Sequence, residues 1–253
     1  MNKEPTILAH RGLLRQAPEN TSAAYISAFE LGFGIEVDVR FTADKELVML
    51  HDTTLDRTTN GQGELSERSY RQIASLDAGS WFHSAFAGQA VPTFSTTCEL
   101  AAQHGHCDVL LGLDIKEEQS PIEQKVCREL LRFELMPRVI GIGNMLHSEE
   151  LRGRFKAVCA DFPAARRVGS PDELEDALGD PTADFLFVPY AISAAQVAQT
   201  HQAGKQIFVV GAQVQDFHPE NWRLRREVGA DVLCTDYAIE CQAIFRERDT
   251  VGG

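Results

Sequence analysis

Two histidines stand where apolar runs of the sequence end, a position typical of the carboxyl edge of a parallel sheet. His10 follows the run at 7–9 and is itself followed by Arg11 and Gly12, and His51 ends the run at 47–50. Because histidine titrates near a pKa of roughly 6.5, a pair can take a proton from one oxygen and give one to another. Either histidine alone is more often a structural strand end. The pairing, with a fixed cation at Arg11, favours acid/base chemistry.

Two carboxylates share one face of the segment 35–40. In an extended strand, side chains alternate, so Glu36, Asp38 and Arg40 lie together on that face and apolar residues lie on the other. Buried carboxylates repel each other and are costly to desolvate, and a bound Mg²⁺ or Ca²⁺ removes that cost. We therefore predict a divalent-cation site. An edge strand with its polar face in water is the alternative.

A third carboxylate and a second cation close the apolar run at 109–113. Asp114 and Lys116 share a face by the same alternation. Active sites of TIM barrels lie at the carboxyl ends of several strands, so these two residues can join the earlier clusters.

A polar tetrapeptide, residues 18–21, precedes the first helical pattern. Asn20 or Thr21 can cap that helix, which is a sufficient explanation for both residues. Glu19 can also reach back toward His10 and Arg11.

Short apolar runs alternate with helical patterns along most of the chain, which is typical of βα units around a parallel sheet. The predicted strands cover residues 7–9, 35–39, 109–113, 139–142, 157–159, 185–188, 207–210 and 232–234, and the predicted helices cover 22–31, 122–134, 171–178, 194–203 and 220–228. Eight strands in 253 residues fit a TIM (β/α)8 barrel, whose usual length is about 250 residues. A doubly wound open sheet is the alternative.

The interval from about residue 52 to 97 interrupts this alternation. It is rich in turn-forming residues and has little sustained helical period. We predict a small insertion after the second strand region, projecting from one end of the barrel within a single domain over residues 1–253. Trp81, Phe82 and Phe86 are expected to form the insertion's own small core, with a lid beside the barrel mouth as the alternative.

The composition limits the classes of partner. The formal net charge is −13 without a basic run, which argues against a nucleic-acid partner and against electrostatic anchoring on a membrane. An acidic protein repels an anionic substrate unless cations stand at the site, as Arg11, Lys116 and a divalent ion would. No stretch has the length of a transmembrane helix and no secretory signal precedes His10, so we expect no stable membrane insertion and a cytoplasmic location.

Taken in order, these clusters resemble the signature of the glycerophosphodiester phosphodiesterase family. The resemblance begins with HRG, PENT and IEVDVRFTADKELVMLHDTTLDRTTNGQG. It continues through DAGSWF and VPTF, which are similar to the family's inserted segment, then through LGLDIK and the last-strand sequence GADVLCTDY. Several motifs in a fixed order across nearly the whole chain are far more specific than any one of them.

The resemblance implies a TIM barrel with a small insertion that hydrolyses glycerophosphodiesters, small-molecule substrates of lipid and glycerol metabolism. The expected products are sn-glycerol 3-phosphate and an alcohol, and the expected cofactor is one divalent cation, Mg²⁺ or Ca²⁺. By position, the family's residues map onto an acid/base pair (His10, His51), phosphate-binding cations (Arg11, Lys116), metal ligands (Glu36, Asp38, Asp114) and a supporting acid (Glu19).

Three positions depart from the family pattern. Asp114 stands where the third metal ligand is commonly Glu, residues 142–145 replace Gln-Ser-Phe, and residues 209–213 replace Trp-Thr-Val-Asn. The later strands shape the wall around the alcohol or glycerol in this family, so the chemistry is better supported than the substrate.

Two alternative functions stay open. A relative with the same site could act on another phosphodiester, such as a lysophospholipid or a phosphodiester-linked sugar. A barrel that only binds a ligand, without metal or catalysis, is a second class, and the intact set of ionisable residues argues against it.

Overall fold

The computed structural model describes residues 4–108, 110–210 and 214–247. The strands in this part of the chain are β1 (Thr6–Ala9), β2 (Gly34–Phe41), β3 (Leu47–Met49), β4 (Leu111–Ile115), β5 (Val139–Gly143), β6 (Ala165–Arg167), β7 (Phe185–Val188), β8 (Gln206–Val210) and β9 (Val232–Thr235). The helices are α1 (Ser22–Glu30), α2 (Tyr70–Ile73), α3 (Phe94–His104), α4 (Ile122–Arg132), α5 (Glu149–Val158), α6 (Leu174–Leu178), α7 (Ala194–Gln202), α8 (Pro219–Val228) and α9 (Ala238–Arg246).

Eight of these strands run parallel and form the wall of a barrel. Their order around the wall is β5-β4-β2-β1-β9-β8-β7-β6, and a parallel bridge between Gly141 and Ala164 joins the two ends. The remaining strand, β3, pairs antiparallel with β2. The predicted TIM barrel is therefore confirmed, and the carboxyl ends of the eight parallel strands face one mouth.

Apolar side chains pack in two layers on either side of the wall. One layer joins the outward faces of the strands to the helices, and Ile35, Val37 and Leu113 are fully buried in it. The other layer fills the lumen with residues from six strands, namely Leu8, Ile140, Ala165, Phe185, Phe208 and Val232. Side chains alternate along a strand, so the next lumen-facing residue is two positions further toward the carboxyl end. Those residues line the mouth.

The irregular segment between β3 and α3 has a small apolar core of its own. That core consists of Val48, Leu50, Leu55, Leu65, Ile73, Ala78 and Val91. The expectation that Trp81, Phe82 and Phe86 would form it is wrong. These rings stack edge to face near the surface, with centroids 5.8 and 5.6 Å apart, and Trp81 is 41% exposed. Aliphatic residues spaced through the whole segment fill its interior, and the aromatics come from one short turn.

Two expectations about element positions are also wrong. Residues 157–159 are not a strand, because α5 continues to Val158 and the next barrel strand is β6, whose two arginines conceal its strand pattern. The insertion ends before residue 97, because α3 begins at Phe94, with the side chain of Thr93 accepting a hydrogen bond from Thr96 N. Val109 and residues 211–213, which belonged to predicted segments, lie outside the described residues.

The helices of the described residues are too short or too polar to cross a bilayer.

Candidate active site

The chain turns sharply after β1 and so directs Arg11 into the barrel mouth. Arg11 and Gly12 have left-handed φ values of +53° and +81°, and a Cβ on Gly12 would lie 2.8 Å from the Cβ of Ala24. Glycine meets both requirements. As a result the backbone N–H of Arg11 donates to Glu36 Oε2 over 3.2 Å, and its Nε lies 3.3 Å from Asp38 Oδ2.

Three carboxylates converge beside this turn. Glu36 and Asp38 project from β2, and Asp114 projects from β4 at the position paired with Asp38. Glu36 and Asp38 are only 3% and 1% exposed, and one oxygen of each of the three carboxylates lies within 4.8 Å of the others. Within the described residues, Asp38 Oδ1 and Asp114 Oδ1 are buried without a hydrogen-bond partner.

The electrostatics of these carboxylates are unequal. Burial and repulsion from Asp38 and Asp114 raise the pKa of Glu36 well above its usual value. Burial also raises the pKa of Asp114, although the adjacent Lys116 opposes the change. For Asp38 burial is outweighed, and Lys116 and Arg11 hold its pKa below the usual value. The raised pKa values of Glu36 and Asp114 reflect the cost of crowding buried carboxylates, a cost that a bound cation would offset.

Lys116 bridges two of the carboxylates. Its Nζ contacts Asp114 Oδ2 and lies 3.0 Å from Asp38 Oδ1, at an angle that does not make a hydrogen bond with the latter. Its backbone carbonyl accepts a hydrogen bond from Asn144 Nδ2 over 2.9 Å. Burial opposes the charge on Lys116, but Asp114 and Asp38 raise its pKa, so the ammonium stays protonated.

Each histidine is held by a carboxylate through Nδ1. His10 Nδ1 lies 2.6 Å from Asp236 Oδ1, and His51 Nδ1 lies 2.7 Å from Asp52 Oδ1. An ionised carboxylate only accepts, so in both pairs Nδ1 carries the proton and Nε2 is left for other partners. The Nε2 of His10 lies 3.7 Å from Glu36 Oε2. In both histidines, Nε2 is therefore the nitrogen that could transfer a proton.

The remaining contacts fix His51 and Glu19. The backbone carbonyl of His51 accepts from Nε and Nη2 of Arg40, over 2.9 and 2.8 Å. Glu19 Oε1 accepts from Arg11 Nη1 over 2.8 Å, so Glu19 does reach back to the first cluster. The structure thus brings together all the residues singled out in the sequence, namely His10, Arg11, Glu19, Glu36, Asp38, His51, Asp114 and Lys116.

Asn20 has a different role from the one its position suggested. Thr21 caps α1, with its hydroxyl accepting from Ala24 N. Asn20 instead adopts a left-handed φ of +53° and donates through Nδ2 to Asp38 Oδ2 over 2.8 Å. Its Oδ1 accepts a hydrogen bond from the hydroxyl of Tyr25 over 2.9 Å. Tyr25 thus holds the amide of Asn20, and that amide in turn fixes the orientation of Asp38.

Asp236 was also missed as a site residue. It directly follows β9, just as His10 directly follows β1, and a position at the end of a strand is the signal that identified His10. That signal could have identified Asp236, because β9 pairs with β1 and Thr235 lies opposite Ala9. Two residues that each follow one of these strands must then be close.

Comparisons with known proteins identify the family to which the chain belongs. Residues 10–240 match the model of the glycerophosphoryl diester phosphodiesterase family. The chain belongs to this family. It is 41% identical over 138 residues to a glycerophosphodiester phosphodiesterase of Caldanaerobacter subterraneus subsp. tengcongensis, a match over 53% of this chain and 56% of the relative. It is 32% identical over 136 residues to one of Bacillus subtilis, over 51% of this chain and 46% of the relative. The matches thus span about half the length of these curated relatives.

Solved structures of the family share the fold over nearly the whole chain. The glycerophosphodiester phosphodiesterase of Agrobacterium tumefaciens superposes with a TM-score of 0.79 at 26% identity, covering 94% of this chain and 99% of that one. A phosphodiesterase of Oleispira antarctica, solved with its product sn-glycerol-3-phosphate, gives a TM-score of 0.75 at 24% identity, covering 96% and 97%.

Proposed function

We propose that this protein hydrolyses glycerophosphodiesters to sn-glycerol 3-phosphate and an alcohol, and that it needs one divalent cation, Mg²⁺ or Ca²⁺. The observation that carries the proposal is the buried cluster Glu36, Asp38 and Asp114 between two cations and two carboxylate-held histidines. Family membership and the product bound to the Oleispira antarctica relative support the choice of substrate.

The donor set of the cluster fits a hard cation. Its ligand atoms are carboxylate oxygens, and the buried Oδ1 atoms of Asp38 and Asp114 have no hydrogen-bond partner among the described residues. Glu36, Asp38 and Asp114 would therefore hold the ion, with Asn20 fixing the orientation of Asp38. Charge that develops on the phosphoryl oxygens during the reaction is neutralised in part by a divalent cation when one is bound.

Arg11 and Lys116 bind the non-bridging phosphate oxygens in this proposal. Arg11 projects from the turn after β1, where Glu19 holds one end of its guanidinium. Lys116 stays protonated between Asp38 and Asp114. Both cations counter the repulsion that a chain with a formal net charge of −13 exerts on an anionic substrate.

His10 and His51 divide the proton transfers. One takes the proton of the attacking hydroxyl, which belongs to water or to the substrate itself, and the other protonates the departing alkoxide. Asp236 and Asp52 hold the two Nδ1 protons, so each Nε2 is the atom that moves a proton. The barrel and its insertion act together as one cytoplasmic catalytic domain with no nucleic-acid partner.

One observation favours the alternative of a less polar substrate. The β5–β8 side of the mouth is mainly apolar, with Ile142 6% exposed and Phe187 and Val210 partly buried against the lumen core, although Arg167 on β6 lies in register with Phe187. This wall would suit a substrate with an apolar part, such as the acyl chain on the glycerol of a lysophospholipid.

The test is an assay of the purified chain on a panel of glycerophosphodiesters with Mg²⁺, Ca²⁺ or EDTA. We expect release of sn-glycerol 3-phosphate, its loss in EDTA and its return with either ion, together with a rise in melting temperature when the ion is added. The panel includes a lysophospholipid to test the alternative substrate, and the product measured for it is the acylated glycerol 3-phosphate. No turnover of any member of the panel contradicts the reaction, and full activity in a rigorously metal-free preparation contradicts the cation requirement.

A further inference from the structure

Five ionisable side chains form a continuous chain of hydrogen bonds along one side of the mouth. Arg57, from the insertion, donates through Nη1 and Nη2 to the two oxygens of Glu19, each over 2.8 Å. It also donates to Asp52, through Nε over 2.7 Å and Nη2 over 3.0 Å. Glu19 holds Arg11 and Asp52 holds His51, over 2.8 and 2.7 Å. Arg57 therefore joins the carboxylate that fixes Arg11 to the carboxylate that fixes His51.

We propose that Arg57 is a positioning residue that sets the separation of Arg11 and His51. The inference rests on the proposed function, in which Arg11 binds phosphate and His51 transfers a proton. These two residues reach the mouth from separate segments, one after β1 and the other after β3. A planar guanidinium that donates to two carboxylates at once fixes their distance and orientation, which the single ammonium of lysine does not.

The exposure of Arg57 argues against a purely stabilising role. Its side chain is 44% exposed, and ion pairs at such positions contribute little to the free energy of unfolding. The two carboxylates that it holds remain charged, however. Hydrogen bonds from Arg57 keep the pKa of Asp52 below its usual value, and Arg57 and Arg11 do the same for Glu19 although burial opposes them. Both carboxylates thus stay acceptors for their second partners, Arg11 and His51.

The two arms of this network predict separable kinetic effects. The Glu19 arm orients Arg11, so its loss should act mainly on substrate binding and raise KM. The Asp52 arm orients His51, so its loss should act mainly on proton transfer and lower kcat. Arg57 belongs to both arms, so its loss should change both constants.

The decisive experiment measures kcat and KM of the full chain with its cation for Arg57→Ala and Arg57→Lys. We expect Arg57→Ala to lower kcat/KM by about 10- to 100-fold, as is usual when groups that orient a site are lost. Added guanidinium ion, at a low concentration that does not denature, should restore part of the loss in Arg57→Ala. Arg57→Lys should not restore wild-type kcat/KM.

Two variants separate the arms. Asp52→Asn should lower kcat with little change in KM, whereas Glu19→Gln should raise KM more than it lowers kcat. Each should be non-additive with Arg57→Ala in a double-mutant cycle, because each pair acts through the same hydrogen bonds. The matched control is Arg223→Ala. Arg223 lies on α8, its side chain is 45% exposed, and it pairs with Glu247 over 2.8 Å. It should leave both constants unchanged.

The outcomes distinguish this inference from the proposed function. An inactive wild-type chain contradicts the proposed function. An active wild-type chain with Arg57→Ala within twofold of it, or Arg57→Ala no different from Arg223→Ala, overturns the inference. If Arg57→Ala fails to fold, Asp52→Asn and Glu19→Gln still decide, and equal effects of the two on kcat and KM overturn it as well.

Discussion

The two halves of the barrel mouth differ in kind. The half formed by β1, β2, β4 and β9 is ionisable, and every charged group in it has a named partner or a place in the carboxylate cluster. The half formed by β5–β8 is mainly apolar, with Ile142, Phe187 and Val210 packed on the lumen core, and its charge comes from Arg167 on β6, whose register partner is Phe187. In the proposed reaction, the described groups that could move protons or hold a cation lie in the first half. The second half can discriminate by shape, by apolar contact and through Arg167.

This division also separates what the sequence predicts well from what it predicts poorly. In the ionisable half, buried charges need partners, and their cost makes a pattern such as Glu36-Val37-Asp38 informative even in one sequence. In the apolar half, a leucine or a phenylalanine satisfies the same packing requirement whether or not it touches a substrate. The substrate's alcohol is therefore harder to predict than the reaction.

Among the tests of the difference between the two halves, loss of a histidine from the ionisable half should have the largest effect on kcat. His10→Ala and His51→Ala should each lower kcat by ~10²- to 10⁴-fold, the usual contribution of general acid–base catalysis, with little change in melting temperature. The matched control is His201→Ala, because His201 also pairs with an aspartate, Asp231, over 2.9 Å, but lies in the last turn of α7. Steady-state kinetics on one glycerophosphodiester decides the matter. A His51→Ala enzyme with wild-type kcat would remove His51 from the mechanism.

A smaller effect is expected at Asp236, which only orients His10. Asp236→Asn should lower kcat by about 10- to 100-fold, because an amide can present the wrong group to Nδ1 and misorient the ring. KM should change little, since Asp236 does not face the phosphate cations. If Asp236→Asn and His10→Ala lowered kcat independently in a double-mutant cycle, Asp236 would need a role of its own.

The eight site residues predicted from the sequence can be recognised from their immediate neighbours in the chain. The residues that were missed have partners far away in the sequence. His10, Asp38 and Lys116 each lie within or beside an apolar strand, so a window of a few residues identifies them. Asp236 meets His10 across 226 positions of sequence, which only the pairing of β9 with β1 explains. Arg57 lies in an irregular segment whose path depends on its own small core.

The fold shows the same limit. Seven of the eight predicted strands overlap barrel strands, because their apolar runs are continuous. The fifth barrel strand was misplaced, since β6 contains Arg166 and Arg167, and the end of α5 offered a more apolar triplet. A barrel strand with charged residues is recognisable only once its neighbours are known.

The apolar half can be tested with paired substrates. Phe187→Leu should raise KM for a lysophospholipid by up to about tenfold, the scale of a small change in an apolar pocket, while KM for glycerophosphoethanolamine stays nearly unchanged. Phe187 stacks edge to face on Phe208 with centroids 5.3 Å apart, so leucine is preferred to alanine to limit the loss of packing. Equal changes in KM for both substrates would mean that this wall does not contact the acyl chain.

Asp114 tests the boundary between the halves, because it lies on β4 beside β5. Its Oδ1 points at Gly143, where any Cβ would overlap it, so the shorter side chain and the glycine fit each other. Asp114→Asn should weaken cation affinity several-fold, measured by activity against Mg²⁺ concentration and by calorimetry. Asp114→Glu should be tolerated or shift the preference toward Ca²⁺, which accepts more varied geometry. An unchanged activation curve for Asp114→Asn would make Asp114 a partner of Lys116 alone.

The smallest effect is expected at the aromatic turn of the insertion, which belongs to neither half of the mouth. Trp81 contacts Phe82 and donates through Nε1 to the carbonyl of Ala78 over 2.9 Å, both within the insertion. We expect Trp81→Phe to keep kcat and KM within experimental error. In a Trp222→Phe background, where Trp81 is the remaining tryptophan, its emission should not respond to sn-glycerol 3-phosphate. A shift in that emission, matched by a rise in KM for Trp81→Phe, would instead make the turn a lid over the mouth. The ionisable half would then be closed from the side that Arg57 already approaches.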